Sequence, residues 1–386
     1  MRTEKRIKMR KTIITALLTS LALVVQAQST DAQLDADSTM RAGAPINITQ
    51  PDASADSIGM IHYHCATKAE GQQLIAANTD YYNSLNQMDL DWRMRKKGAT
   101  KEELIDFAKS CVQEFTDKEK VKIAGAIQFI EKRLHKIGAN LPFPKDDIVF
   151  IKTNMQEEGG AGAYTHKTEI YIGANVVRCN ERKDGMMRLG GVDAEALCEL
   201  VAHELFHCLT RNSPEFRRGM YKLIGFTVMD KDISFGPAIQ QKILTNPDVE
   251  HIDNYAEFTI KGKKRKCELM VLYTNSWEEA SAKVGKDKAT FFHFNQSVLV
   301  PIDKPNKYYS IEKASDFWDV IGHNTEYVLA PEETLADNFS YAVLDGPGRN
   351  SNIASAKEKE ESQIKYTTPQ LIDDIITFLK SYQQKD

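Results

Sequence analysis

Between Ala66 and Ile137 apolar side chains recur every three or four residues, as in Leu104, Phe107, Ala108 and Cys111, which is the period of an amphipathic helix. Helices are predicted at about 67–86, 101–115 and 117–137, and Pro142 and Pro144 close the region. Three short strand-like runs follow, at 148–151, 162–165 and 169–172, and predict a small sheet. A helix then runs from about Asp193, a good N-cap, to Thr210. Asn212 ends it, and Ser213-Pro214-Glu215 starts another. Between 225 and 306 β-branched residues are frequent. Runs 255–261, 266–274 and 290–300 read as strands, the first two joined by the basic turn Lys261-Gly262-Lys263-Lys264-Arg265-Lys266. Helical patterns return at 311–320, 331–343 and 369–383, the last after a charged linker at 357–361. The succession predicts an α+β chain: a helical region at 58–145, then a unit at 146–386 with a β-rich insertion at about 225–306.

The first residues read as an address. Arg2, Lys5, Arg6, Lys8, Arg10 and Lys11 precede an apolar run at 13–25, followed by Val25-Gln26-Ala27, the pattern of a secretory signal cleaved after Ala27. Met9 could serve equally as initiator, since Arg10 and Lys11 suffice as the basic segment. The apolar run is shorter than the roughly 20 residues that span a bilayer. No cysteine near the cleavage site could accept a lipid. The mature chain is expected to begin at Gln28, to make no stable membrane insertion, and to be periplasmic or secreted. Residues 28–57 are small and polar and read as a flexible leader.

The chain has 386 residues and a formal net charge of −4, which gives no global basic field for nucleic acid or anionic membrane. The 261–266 run is therefore read as a solvated hairpin tip. Six scattered cysteines permit disulfides in an exported protein but do not fix a connectivity. Cys198 and Cys208 cannot pair if they share a helix, because they would lie ~15 Å apart along its axis, beyond the ~7 Å limit for a bridge. The thiols are read as small buried hydrophobes. No glycine-rich phosphate loop precedes a helix and no G-x-S-x-G elbow is present.

One pattern carries chemistry. His203-Glu204-Leu205-Phe206-His207 is an H-E-x-x-H sequence inside a predicted helix. Leu197, Val201, Leu205 and Cys208 form an apolar stripe that would hold this helix to the core, leaving His203 and His207 one turn apart on another face. Two such imidazoles can bind one Zn2+, and Glu204 beside them can reach a metal-activated water. A catalytic zinc needs a third protein ligand, and residues 208–213 hold no histidine. Downstream, Pro331 starts a helix that places Glu333 and Asp337 one turn apart. The His62-Tyr63-His64-Cys65 cluster lacks an identifiable further ligand and is read as structural.

With these two helices the sequence resembles the gluzincins, the thermolysin-like zinc metallopeptidases, in which a second helix supplies a Glu ligand and an Asp four residues later orients a zinc-bound His. The resemblance covers the strands at about 148–172 and the two helices. The stretch between His207 and Glu333 is much longer than in typical members. It implies a zincin-like fold, with Glu333 as third ligand and Asp337 as the partner of His203. Glu332 is the rival ligand, but its i+4 residue is Ala336, which orients nothing, so its loss is expected to leave zinc bound. The resemblance also implies a strand beside the metal that pairs with extended substrate, for which 162–165 is the candidate, although an ordinary buried strand fits the same residues. It further implies an oxyanion donor, for which Tyr327 and His323 are the candidates. The implied function is hydrolysis of peptide or protein substrates, with Glu204 as general base. A zincin scaffold that binds without turnover and a zinc hydrolase of a non-peptide substrate are the alternatives.

Overall fold

Four capping boxes punctuate the first third of the chain. Thr67, Asn86, Thr100 and Thr116 each accept a backbone N–H from the first helical turn, while an acidic side chain three residues on accepts from the cap. They open α1 (Lys68–Ala77), α3 (Gln87–Met94), α4 (Lys101–Cys111) and α5 (Asp117–Ile137), with α2 (Thr79–Ser84) between the first two. The helix expected over 67–86 is therefore two helices broken at Asn78, whose amide donates to Glu169 and Tyr171 on the sheet. These helices belong to a computed structural model that describes residues 60–178, 180–181, 187–188, 194–285, 289, 291–346 and 366–382. The signal segment, the leader, Cys179, the Asp193 cap and the 357–361 linker lie outside the described residues.

The region expected to be helical also contributes strands. β1 (Tyr63–Cys65) and β2 (Val112–Gln113) join β3 (Ile148–Thr153), β4 (Ala163–His166) and β5 (Glu169–Gly173) in one sheet of order β1-β3-β5-β4, with β2 pairing the end of β3. β1, β3 and β5 run parallel, and β4 is an antiparallel edge. The period of two sorts the side chains of this sheet. Phe150, Ile170 and Ile172 join the main core with α5 and α6 (Ala194–Asn212), while Ile151, Tyr164 and Tyr171 pack on the other face against Ile75 of α1 and Ala108 of α4. Gly71 lets α1 approach closely, since a Cβ there would lie 2.9 Å from Ile151 and Val112. His64 of β1 is held by Asp147 at 3.0 Å and Glu70 at 2.9 Å, an ion-pairing role rather than a ligand set.

After α6 and α7 (Pro214–Leu223), the chain builds a second, antiparallel sheet from β6 (Thr227–Val228), β7 (Asn254–Ile260), β8 (Lys263–Tyr273), β9 (Asn295–Pro301) and β10 (Tyr309–Ser310). The basic turn is shorter than expected. Ile260 pairs with Lys263, so Lys261 and Gly262, both at positive φ, form the two-residue turn that suits strand twist, and residues 263–266 belong to β8. The chain then forms α8 (Trp277–Val284), α9 (Phe317–Ile321), α10 (Pro331–Asp345) and α11 (Pro369–Ser381). α10 is buried along its length and packs on α5, α6 and α11, with Phe339 against Phe206. Its last carbonyls would be orphaned in such a setting. Arg133 of α5 donates to those of Val343, Leu344 and Gly346 at 2.8–3.0 Å, which fixes the helix along its axis.

The architecture is mixed α+β. Among the described residues no helix is long and apolar enough to cross a membrane, and Cys65, Cys111, Cys208 and Cys267 are free thiols.

Candidate metal centre

The apolar stripe of α6 does what its spacing requires: Leu197, Val201, Leu205 and Cys208 are fully buried. This turns His203 and His207 toward the N-terminal turn of α10, with ring centroids 5.0 Å apart. Pro331 occupies the first turn of that helix, and Glu332 and Glu333 sit at its positive dipole end. Glu333 Oε2 lies 3.1 Å from His203 Nε2 and 3.9 Å from His207 Nε2, while Asn246 donates to the other oxygen. One carboxylate oxygen thus faces both imidazoles and the other is anchored.

The far nitrogens of both rings are held as well. His203 Nδ1 meets Asp337 Oδ1 at 2.9 Å, and Thr325 fixes that carboxylate through Oδ2. His207 Nδ1 meets Glu332 Oε1 at 3.1 Å, and Thr210 and Tyr221 donate to Glu332 at 2.5 and 2.7 Å. Glu332, left without a role by the sequence, orients the second histidine as Asp337 orients the first. A carboxylate in this position sets the imidazole tautomer and raises its basicity, and its loss typically costs 10–100-fold in metal affinity. Glu332→Gln is expected to weaken zinc binding by about that factor; titration against a competing chelator measures it, and unchanged affinity would refute the role.

His207 Nε2 is the atom that asks for an ion. It is buried and has no hydrogen-bond partner, yet carboxylate oxygens of Glu333 and Asp248 both lie 3.9 Å away. The ligand atoms of His203, His207 and Glu333 lie within 4.8 Å of one another, as do those of Glu204, His207 and Asp248. Five buried or nearly buried carboxylates (Glu204, Asp248, Glu332, Glu333, Asp337) converge on two imidazoles. Buried charges in such excess are stable only when paired or bound to a cation. A dication at 2.0–2.2 Å from nitrogen and oxygen ligands would satisfy the orphaned nitrogen, so the donor set fits zinc.

Electrostatics follow the same geometry. Burial disfavours the charged form of His203, but hydrogen bonds and charge from Asp337 and Glu333 outweigh it and hold its pKa well above the usual histidine value. Burial likewise pushes Glu333 upward, and His203, His207 and Asn246 bring it below the usual carboxylate range. Asp248 lacks such a partner: burial, then the charges of Glu204 and Glu333, raise its pKa well above the ordinary value.

Glu204 is buried beside the histidines, and Thr165 of β4 donates to its Oε2 at 2.6 Å. The strand expected near 162–165 is therefore present as β4, lies at the edge of its sheet and touches the motif. Tyr327 also belongs here. Its ring lies 6.3 Å from that of His203, and burial, with the charges of Glu333, Asp248, Asp337 and Glu204, keeps it a neutral phenol. His323 has other partners: its ring stacks on Trp318 at 3.8 Å, its Nε2 meets Glu326 at 2.8 Å, and its backbone N–H donates to Thr368. Asn246 and Asp248 were not foreseen, because nothing in their local sequence marks them.

Set against family models, curated proteins and solved structures, the chain matches none of them.

Proposed function

We propose that this protein is a zinc-dependent peptidase built on a zincin-like scaffold, with His203, His207 and Glu333 holding the metal and Glu204 as general base. The observation that carries the reading is His207 Nε2, a buried nitrogen without a partner that faces the Glu333 oxygen shared with His203. Zinc, when bound there, supplies a Lewis acid that acidifies water and polarises a carbonyl. Glu204, with a carboxylate oxygen within 4.8 Å of the His207 and Asp248 ligand atoms, would act as the general base that accepts a proton from water and passes it to the leaving amine. Asp337 and Glu332 keep both imidazoles presenting Nε2 inward. Tyr327, as a neutral phenol next to His203, can donate to the developing oxyanion. β4 is the antiparallel edge strand of its sheet, the element along which an extended peptide could pair by main-chain hydrogen bonds.

A second reading, a scaffold that binds without turnover, has one observation in its favour: the Thr165 amide of β4 and the Lys167 amide of the turn after it already have partners from the chain itself, Asp248 and Glu250. Cleavage of a broad peptide library by the zinc-loaded protein, stopped by a chelator and restored by zinc, is expected. A folded, zinc-loaded protein that cleaves nothing would favour the binding reading.

A further inference from the structure

The segment at 244–250 links the two sheets. It starts alongside β8, where Leu244 N–H donates to the Val271 carbonyl, and reaches the edge of β4. Asn246 anchors it to Glu333 and accepts from the Asp248 amide at 3.0 Å. Arg211 donates to the Pro247 carbonyl at 3.2 Å and pairs with Glu250 at 3.2 Å. Asp248 then accepts from Thr165 N–H at 2.7 Å and Glu250 from Lys167 N–H at 3.1 Å. Thr165 lies in β4, on the edge an extended peptide would use, and Lys167 is the first residue of the turn that follows it, so the segment covers the strand and its end together. The same Asp248 oxygen lies 3.9 Å from the orphaned nitrogen of His207. That oxygen is as far from His207 Nε2 as the Glu333 ligand oxygen is.

We propose that Asp248 is a fourth protein ligand of the ion, so that the resting metal is coordinatively closed and an incoming peptide must displace the 248–250 segment, taking over the Thr165 and Lys167 amides. This rests on the zinc-peptidase reading and adds a feature that three ligands and a base do not require. A structural zinc is closed by four protein ligands, whereas a catalytic one keeps a position for water or substrate. Here the closing group sits on a tether rather than on either helix. On its far side lies a cleft of ≈ 380 Å³, lined by Val228, Asp230, Val249, Glu250 and His251 among others, which gives the segment room to withdraw.

The test uses two readouts that a purely structural role would not move in opposite directions. Asp248→Asn keeps the acceptor for Thr165 N–H and removes the anionic metal donor. Zinc affinity, from chelator competition, is expected to fall by about tenfold or more. The affinity of acetohydroxamate for the cobalt-loaded protein, followed by visible absorption, is expected to rise by about tenfold as its site opens. Glu250→Gln, which loosens the segment without touching the metal donors, should tighten acetohydroxamate a few-fold and leave zinc affinity unchanged; it carries the test if the first variant does not fold. If Asp248→Asn leaves both quantities at wild-type values, or weakens both together, Asp248 is no ligand while the zinc site stands. Wild-type protein that takes up neither zinc nor cobalt would overturn the metal centre itself, and Asp248 with it.

Discussion

Glu204→Gln is expected to retain zinc and fold while slowing peptide hydrolysis by about 10²–10⁴-fold, the usual effect of losing a general base. Ligand and base are separate groups in this site. Glu204 makes its hydrogen bond with the Thr165 hydroxyl, and the amide oxygen of glutamine can accept that bond in the same shape. What glutamine cannot do is take a proton from water. The loss should appear in kcat with little change in KM, because Glu204 is not placed to bind substrate in the ground state. Metal content by mass spectrometry and single-turnover cleavage check the two halves together. A zinc-loaded Glu204→Gln protein that cleaves as fast as wild type would show that the proton goes elsewhere.

Glu333→Ala is expected to strip the metal, and activity with it, beyond the ~10–100-fold loss of affinity expected from Asp337→Ala or Glu332→Gln. The ranking follows from position. Glu333 Oε2 faces both Nε2 atoms, whereas Asp337 and Glu332 each touch one ring from behind. Removing Glu333 also leaves the Asn246 amide without its acceptor, so the 244–250 segment should loosen. Zinc competition titrations on the three variants give the order directly. Wild-type affinity in Glu333→Ala would remove Glu333 from the ligand set.

Much of this site could be read from the sequence because it is built from neighbours on single helices. The geometry of a helix puts His203 and His207 on one face whatever surrounds them, and it puts Glu333 and Asp337 one turn apart in the same way. The apolar stripe at Leu197, Val201, Leu205 and Cys208 identified the buried face of α6 from spacing alone, and a strand near 162–165 was visible in the local pattern, though its place at the sheet edge was not. The boxes at Thr100 and Thr116 mark helix starts for the same local reason.

What tertiary structure decided is every contact between distant segments. Adjacent residues on a helix point about 100° apart, so Glu333 faces both Nε2 atoms while Glu332 meets His207 from behind only because α10 is held at one particular rotation and height by Phe206 and Arg133. His323 lies close to Tyr327 in the chain, yet stacking on Trp318 turns it away. Asp248 and Asn246 sit in a loop whose composition says nothing. They reach the metal side because the second sheet delivers that loop to an edge strand more than 80 residues earlier. Spacing along one helix is set by its backbone, while the approach of a loop to a strand is set by which buried surfaces pack together. The sequence therefore named His203, Glu204, His207 and Glu333 as neighbours in one cluster, and the packing brought Asp248 to face them.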